Sequence, residues 1–206
     1  MLYSFIDKYK PKNFSEFIAN DEFLNTIISF INTNIIKFLF IGDPGTGKTT
    51  IIDCILKYYY KCDSSNYKNN ILYINNLKEQ GIHLLRQEVK MFIQTSSSIK
   101  NKNKFIIIDD IDSLNEQTQQ ILRNTIDNYN KIHIIATCNN LQNVVDNIQS
   151  RLQIFRIKSP SYNDIKYFGN KILIEENINI NDIQKKYIFN SSNLSYRVLL
   201  NTIQKI

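Results

Sequence analysis

The chain has no tryptophan, two histidines, three prolines, three cysteines and five glycines among 206 residues. Cys54, Cys62 and Cys138 are odd in number and unrelated in spacing. That excludes a disulfide framework and a cysteine-based zinc site, and points to a reducing compartment. No apolar run approaches the roughly 20 residues of a membrane-spanning helix. The opening Met1-Leu2-Tyr3-Ser4-Phe5-Ile6-Asp7 lacks the basic-then-apolar pattern of a secretory signal, so an intracellular protein without membrane attachment is expected. No internal repeat is visible, and the scarcity of glycine and proline beside abundant Asn, Ile, Lys and Tyr reads as compositional bias. What is present suffices for a core: 43% hydrophobic and 12% aromatic residues exclude wholesale disorder. The length suits one large domain, or a medium domain with a small appendage. The balance of 25 basic and 19 acidic residues leaves a net charge of +6, which permits contact with a polyanion without demanding it.

Helix and strand signals alternate. Asn20 and Asp21 open a helix carrying Phe23, Leu24, Ile27, Ile28 and Ile31 at helical spacing. Residues 36–41 form a short apolar run closed by Gly42 and Pro44, the mark of a buried strand. A helix is expected from about Gly47 to Tyr60, then a polar loop to Asn70, a strand at 71–74, and an amphipathic helix from Gly81 to about Thr95. The stretch 96–104 reads as a mobile surface loop. Phe105-Ile106-Ile107-Ile108 has the look of a central parallel strand. A Gln-rich helix over 116–128 follows, then strands at 132–137 and 154–157. Such alternation predicts an α/β fold, a parallel sheet covered by helices on both faces. After Ser159-Pro160 only helical periodicity remains, with Ser159 read as cap and Pro160 as first-turn residue. The expected organisation is an α/β core over 1–158 and a small all-helical lid over 159–206.

The most specific signal is Gly42-Asp43-Pro44-Gly45-Thr46-Gly47-Lys48-Thr49, which satisfies the phosphate-loop pattern G-x-x-x-x-G-K-[ST] between a predicted strand and a predicted helix. Glycine permits positive φ and a close approach of backbone to phosphate. Successive N–H groups and the N-terminus of the following helix face the anion. Lys48 can reach the β- and γ-phosphates, and the Thr49 hydroxyl can bind Mg²⁺. Asp109, ending the apolar run, stands where a metal-holding carboxylate belongs, because ligands of open α/β sheets bind beyond the C-terminal ends of the strands. Asp110 follows and can orient an attacking water.

Taken in order, these residues resemble the AAA+ clamp-loader ATPases, specifically the replication factor C small subunit. Asp7-Lys8-Tyr9-Lys10-Pro11 looks like the family's box near the adenine, and Gly42 to Thr50 is similar to its Walker A loop. Gly81-Ile82 with Arg86 resembles a helix that tracks DNA. Asp109-Asp110-Ile111-Asp112 stands where the family has Asp-Glu-Ala-Asp, and Leu122-Arg123-Asn124-Thr125 where it has Leu-Arg-Arg-Thr. Cys138-Asn139 matches sensor 1, Ile148-Gln149-Ser150-Arg151 the arginine-finger motif, and Arg197 with Asn201 and Gln204 the sensor-2 helix.

The resemblance implies an AAA+ P-loop ATPase that binds ATP and Mg²⁺ and belongs to a hetero-oligomeric ring. That ring loads a sliding clamp onto primer-template DNA without reading sequence. It places Tyr9 and Pro11 near the base, Gly42, Asp43, Pro44, Gly45, Thr46, Gly47, Lys48, Thr49 and Thr50 on the phosphates, and Arg197 on the chain's own nucleotide. Thr49 and Asp109 hold the metal, Asp110 and Asn139 serve hydrolysis, and Arg151 reaches a neighbour's ATP. Arg86 and Arg123 face DNA, and the region of Met91, Phe92 and Ile93 faces the clamp, although Phe92 also fits a plain core position. Departures are informative. Asp110 is one methylene shorter than the family's glutamate, Gln80 replaces an arginine, Leu152 a cysteine, and Leu194-Ser195 a Gly-Asp pair. The family's helical collar has no counterpart up to Ile206, so a truncated member is expected. Two alternatives share these motifs: another AAA+ DNA motor or helicase loader, and an ATP-binding scaffold that has lost hydrolysis.

Overall fold

A computed structural model describes residues 4–61, 64–75, 82–129 and 131–206. Cys62, Gln80 and Gly81, and the side chain of His83, lie outside them. Five strands, β1 (Lys37–Ile41), β2 (Ile71–Ile74), β3 (Lys104–Ile108), β4 (Ile132–Cys138) and β5 (Gln153–Arg156), form one sheet in the order β2-β3-β4-β1-β5. Every neighbouring pair is parallel. All residues of β3 and β4 are buried, as uninterrupted Ile-rich runs at the centre of a parallel sheet require. The helices in chain order are α1 (Phe5–Lys8), α2 (Asp21–Asn32), α3 (Lys48–Tyr60), α4 (Ser64–Tyr67), α5 (Ile82–Gln94), α6 (Glu116–Asn128), α7 (Asp146–Gln149), α8 (Tyr162–Glu175), α9 (Asp182–Ser191) and α10 (Tyr196–Ile203).

Two apolar clusters cover the sheet. One gathers Phe38, Phe40 and Phe155 with α2 and α3; the other sets Leu39, Ile106 and Ile134 against α5 and α6. Alternate residues of one strand thus face opposite clusters, as a period of two demands. A third cluster joins α8, α9 and α10 through Ile165, Ile172, Phe189, Leu199 and Ile203. Phe5, Ile6 and Tyr9 pack onto that third cluster, although they come from the other end of the sequence. The N-terminal strand of chain is held on both sides: Tyr9 Oη donates to Glu176 Oε1 at 2.7 Å, and Lys10 pairs with Asp53 of α3.

The elements start where their sequences predict, with local exceptions. Asn20 caps α2, its Oδ1 accepting from Glu22 N, and Asn115 caps α6 by accepting from Thr118 N. Ser159 does not cap α8. Ser161 does, in a reciprocal capping box with Asp164, and Ser159 Oγ instead donates to Asp43 Oδ2 at 2.6 Å. The stretch read as a loose loop, 96–104, is tied down. Lys104, only 5% exposed, donates through Nζ to the carbonyl oxygens of Phe92 and Thr95, satisfying acceptors that the end of α5 leaves unpaired. Ser98 donates from N and Oγ to the buried Asn70 Oδ1. The polar segment before β2 also folds, into α4 and a short 3-10 turn at Lys68–Asn70. Among the described residues no helix is long and apolar enough to cross a membrane.

His133 on β4 lies between the rings of Tyr59 and Phe105, with Nε2 near Asn34 Oδ1 and Tyr59 Oη. Burial first, and then the charge of Lys102, push its pKa down to about 4. The folded protein therefore binds fewer protons than the unfolded chain between pH 4 and the unperturbed value near 6.5, and stability falls as pH falls through that window. Denaturant titrations should show His133 contributing a loss of about 3 kcal/mol from pH 7 to 4. The loss should be absent from His133→Gln; superimposable pH profiles for the two proteins would contradict this.

Candidate nucleotide site

The site lies at the C-terminal ends of β1, β3 and β4, three strands that stand side by side. Register sets their levels: Ile41 pairs with Cys138 and Ile108 with Ala136, so Gly42 and Asn139 emerge together, two residues beyond the level of Asp109 and Thr137. Gly42 N donates to Cys138 O, joining the glycine loop to the end of β4.

The loop has the conformation its glycines permit. Gly45 and Gly47 adopt φ of 83° and 101°, the left-handed region. A Cβ on Gly45 would also stand 2.2 Å from Ser195 Oγ, so the start of α10 presses on the loop. Lys48 opens α3 and is 8% exposed. Its Nζ donates to Gly42 O at 2.8 Å, Asp43 O at 3.1 Å and Asn139 Oδ1 at 2.7 Å. Desolvation lowers its pKa, opposed by Asp110, Asp109 and Asp112. An ammonium so placed uses all three of its donors.

Facing it, Asp109 Oδ1 accepts from Thr137 Oγ1 at 2.6 Å, and the same hydroxyl accepts from Asp110 N at 2.9 Å. One buried threonine thus orients both carboxylate residues and leaves Asp109 Oδ2 outside that bond. Asp110 adopts φ 49° and ψ 54°, unusual for a residue with a Cβ. Asn139 Nδ2 donates to Asp110 Oδ1 at 3.2 Å, so Asn139 bridges Lys48 and Asp110. Cys138, beside Asn139, is a buried thiol with its pKa pushed up to about 11, chiefly by burial, and Cys54 is similar; neither is a nucleophile near neutral pH.

A cavity of about 610 Å³ opens from this cluster, within the range of small-molecule sites. Its wall contains Tyr9, Pro11, Gly45, Thr46, Gly47, Thr49, Thr50, Asp109 and Arg197, so the N-terminal segment, the glycine loop and α10 meet in one space. Gly42, Asp43 and Lys48 are not part of this wall; they adjoin it through Gly45, Thr46, Gly47 and Thr49. Pro44 joins Asp43, Gly45 and Arg197 around an adjacent recess between the loop and the start of α10. Arg151 stands apart. It pairs through Nε with Asp127 of α6 and donates from Nη1 to Asn147 O.

The family model for ATPases associated with various cellular activities (AAA) matches residues 38–160. The chain belongs to the AAA family. Its relatives include replication factor C subunit 3 of Schizosaccharomyces pombe, 30% identical over 202 residues, with 97% of this chain and 58% of that protein covered. The replication factor C small subunit of Methanococcus vannielii is 30% identical over 201 residues, covering 97% and 63%. The chain therefore spans about three fifths of the length of these relatives. Among solved structures, the RuvB Holliday junction branch migration motor of Thermotoga maritima superposes with a TM-score of 0.69 at 16% identity, covering 94% of this chain and 63% of that one, and shows the same fold.

Sequence reasoning did not single out Thr137 or assign a function to Asp112 of this AAA chain, because a polar residue ending an apolar run carries no signal until register places it opposite a carboxylate. Thr137→Val should lower unfolding free energy by about 1–3 kcal/mol, since it removes a buried hydroxyl and leaves the Asp110 N–H and the Asp109 carboxylate short of one partner each. Thr137→Ser should retain most of the stability. Equal stability of the two variants in chemical denaturation would contradict the arrangement.

Proposed function

We propose that the chain is an ATP-binding and ATP-hydrolysing subunit of a DNA sliding-clamp loader, with a core over 1–158 and a lid over 159–206. The observation that carries the ATPase reading is the convergence of Lys48, Asp109, Asp110 and Asn139 at the mouth of the glycine loop, beside a cavity that also holds Arg197. The clamp-loader reading rests on relatives named replication factor C that match nearly the whole chain.

In this reading the triphosphate displaces Asn139 and the loop carbonyls from Lys48 and takes its ammonium in their place. Asp109, Asp110 and Asp112 outnumber that one ammonium, so the site favours a triphosphate carrying a divalent cation. The Thr49 hydroxyl and Asp109 are hard oxygen donors on the cavity wall, and with phosphate oxygens and water they suit Mg²⁺, which neutralises charge on the phosphates when bound. Asp110, released from Asn139, orients the attacking water, and Asn139 turns to the γ-phosphate. Arg197 holds the phosphates from the lid and makes lid angle depend on nucleotide. Tyr9 and Pro11 flank the base.

Arg151 serves a neighbouring subunit's ATP. Its guanidinium must first exchange Asp127 for phosphate, and both are acceptors that a planar fork binds well. Arg86, exposed on α5, and Arg123, half-buried on α6, face one strand of duplex DNA, with affinity that falls as salt rises. Met91, 62% exposed, is offered to the clamp, while Phe92 and Ile93 pack partly against the sheet. The setting is intracellular, wherever DNA is replicated.

Lys48→Ala should abolish ATP binding in a titration; unchanged affinity would defeat the site assignment. Arg151→Ala should leave binding to its own site intact and cut turnover of the assembled ring by about 10³-fold, the scale of an arginine finger. Loss of its own subunit's binding with normal ring turnover would exclude the role in trans.

A further inference from the structure

The acidic run that follows β3 contains a carboxylate which the proposed hydrolysis does not use. Asp112 lies in the 3-10 turn Ile111–Ser113, half-buried, and its Oδ2 accepts from Asn139 N at 3.0 Å and Asn140 N at 2.9 Å. These are the two consecutive main-chain amides that follow β4. Its other oxygen, Oδ1, is buried with no hydrogen-bond partner among the described residues. A carboxylate left half-satisfied costs stability, and the bonds it does make all go to the main chain of residues 139 and 140.

We propose that Asp112 is a positioning residue of the ATPase site, acting through the main chain of Asn139. By holding two successive amides it sets where residue 139 leaves β4. The Asn139 side chain can then lie with Oδ1 on Lys48 and Nδ2 on Asp110. Without that grip, the main chain at 139–140 keeps only the tie of Asn140 O to Asn143 N, and the side chains keep theirs. Asn140 Oδ1 accepts from Gln142 N within the next turn, and Gln149 Nε2 holds Leu141 O and Val144 O beyond it. None of these reaches the Asn139 main chain. The turn that carries Asp112 is itself anchored from α6: Gln119, 2% exposed, donates to Ile111 O, Leu114 O and Asn143 O and accepts from Val145 N. The arrangement binds the loop after β3 to the loop after β4 across a shared helix. Among the described residues the Asn139 main-chain amide donates to Asp112 Oδ2 alone, while the side chain bonds Lys48 and Asp110.

The proposal rests on the nucleotide reading above and adds a causal order: Asp112 acts on the triphosphate only by way of Asn139. Calorimetric titrations with magnesium ADP and with a magnesium-bound non-hydrolysable ATP analogue, beside thermal unfolding, test it. Asp112→Ala should leave ADP affinity within about threefold and reduce the preference for the ATP analogue by about tenfold. Asn139→Ala should do the same, and the double variant should lose no more than either single one. Asp112→Asn should restore the preference, because its amide oxygen still accepts from both N–H groups. If Asp112→Ala does not fold, Asp112→Glu, which displaces the acceptor, takes its place in the cycle. An unchanged preference, multiplicative losses in the double variant, or parallel loss of both nucleotides with lowered melting temperature would each overturn the proposal. A wild-type chain that binds neither nucleotide would overturn the nucleotide reading itself, and this inference with it.

Discussion

The site depends on one buried ammonium. Lys48 is enclosed at the head of α3, and a positive charge so placed must be met by oxygen on every side. In this structure two loop carbonyls and the Asn139 amide oxygen meet it. These partners are neutral, and three carboxylates stand nearby without an ion-pair contact to it. The ammonium is therefore satisfied in hydrogen bonding and available in charge. A polyanion offers it stronger, charge-assisted bonds than the carbonyls do. Exchange of one set for the other is the step from which the site's remaining chemistry would follow.

Topology makes the exchange consequential. Because β4 runs between β3 and β1, Asn139 stands between the carboxylates that follow β3 and the lysine that follows the glycine loop, bonding Asp110 and Lys48. Thr137 and Asp112 fix the two approaches from below and behind. From above, Ser195 and Arg197 bring the start of α10 against Gly45. The residues 193 and 194 just before it adopt positive φ without being glycine, a conformation that costs roughly 1 kcal/mol or more per residue. That strain sits where the start of α10 meets the glycine loop.

Much of this was legible in the sequence. The five strands fall where the apolar runs lie, and the glycine loop identified itself by spacing, because phosphate chemistry tolerates few alternatives at those positions. Asp109 was readable as a strand-end carboxylate placed for a metal, and Asn139 through the family resemblance; the bonds that link Asn139 to Lys48 and Asp110 required the register of three strands. The errors have local causes. Ser159 lost the cap of α8 to Ser161, whose partner Asp164 completes a two-way bond that Ser159 cannot make. Residues 96–104 looked loose because lysine, asparagine and serine are hydrophilic; the ends of α3 and α5 supply the carbonyl oxygens that bind Lys102 and Lys104. The contact of Phe5, Ile6 and Tyr9 with the C-terminal helices spans nearly the whole chain, and no local pattern encodes it.

The most direct measurement is a crystal structure of the chain with a non-hydrolysable ATP analogue and Mg²⁺. The account predicts that Lys48 Nζ will have left Asn139 Oδ1 and the carbonyls of Gly42 and Asp43 for phosphate oxygens lodged on the amides of residues 44–49. A structure with the analogue bound elsewhere, and Lys48 still held by those three oxygens, would contradict it.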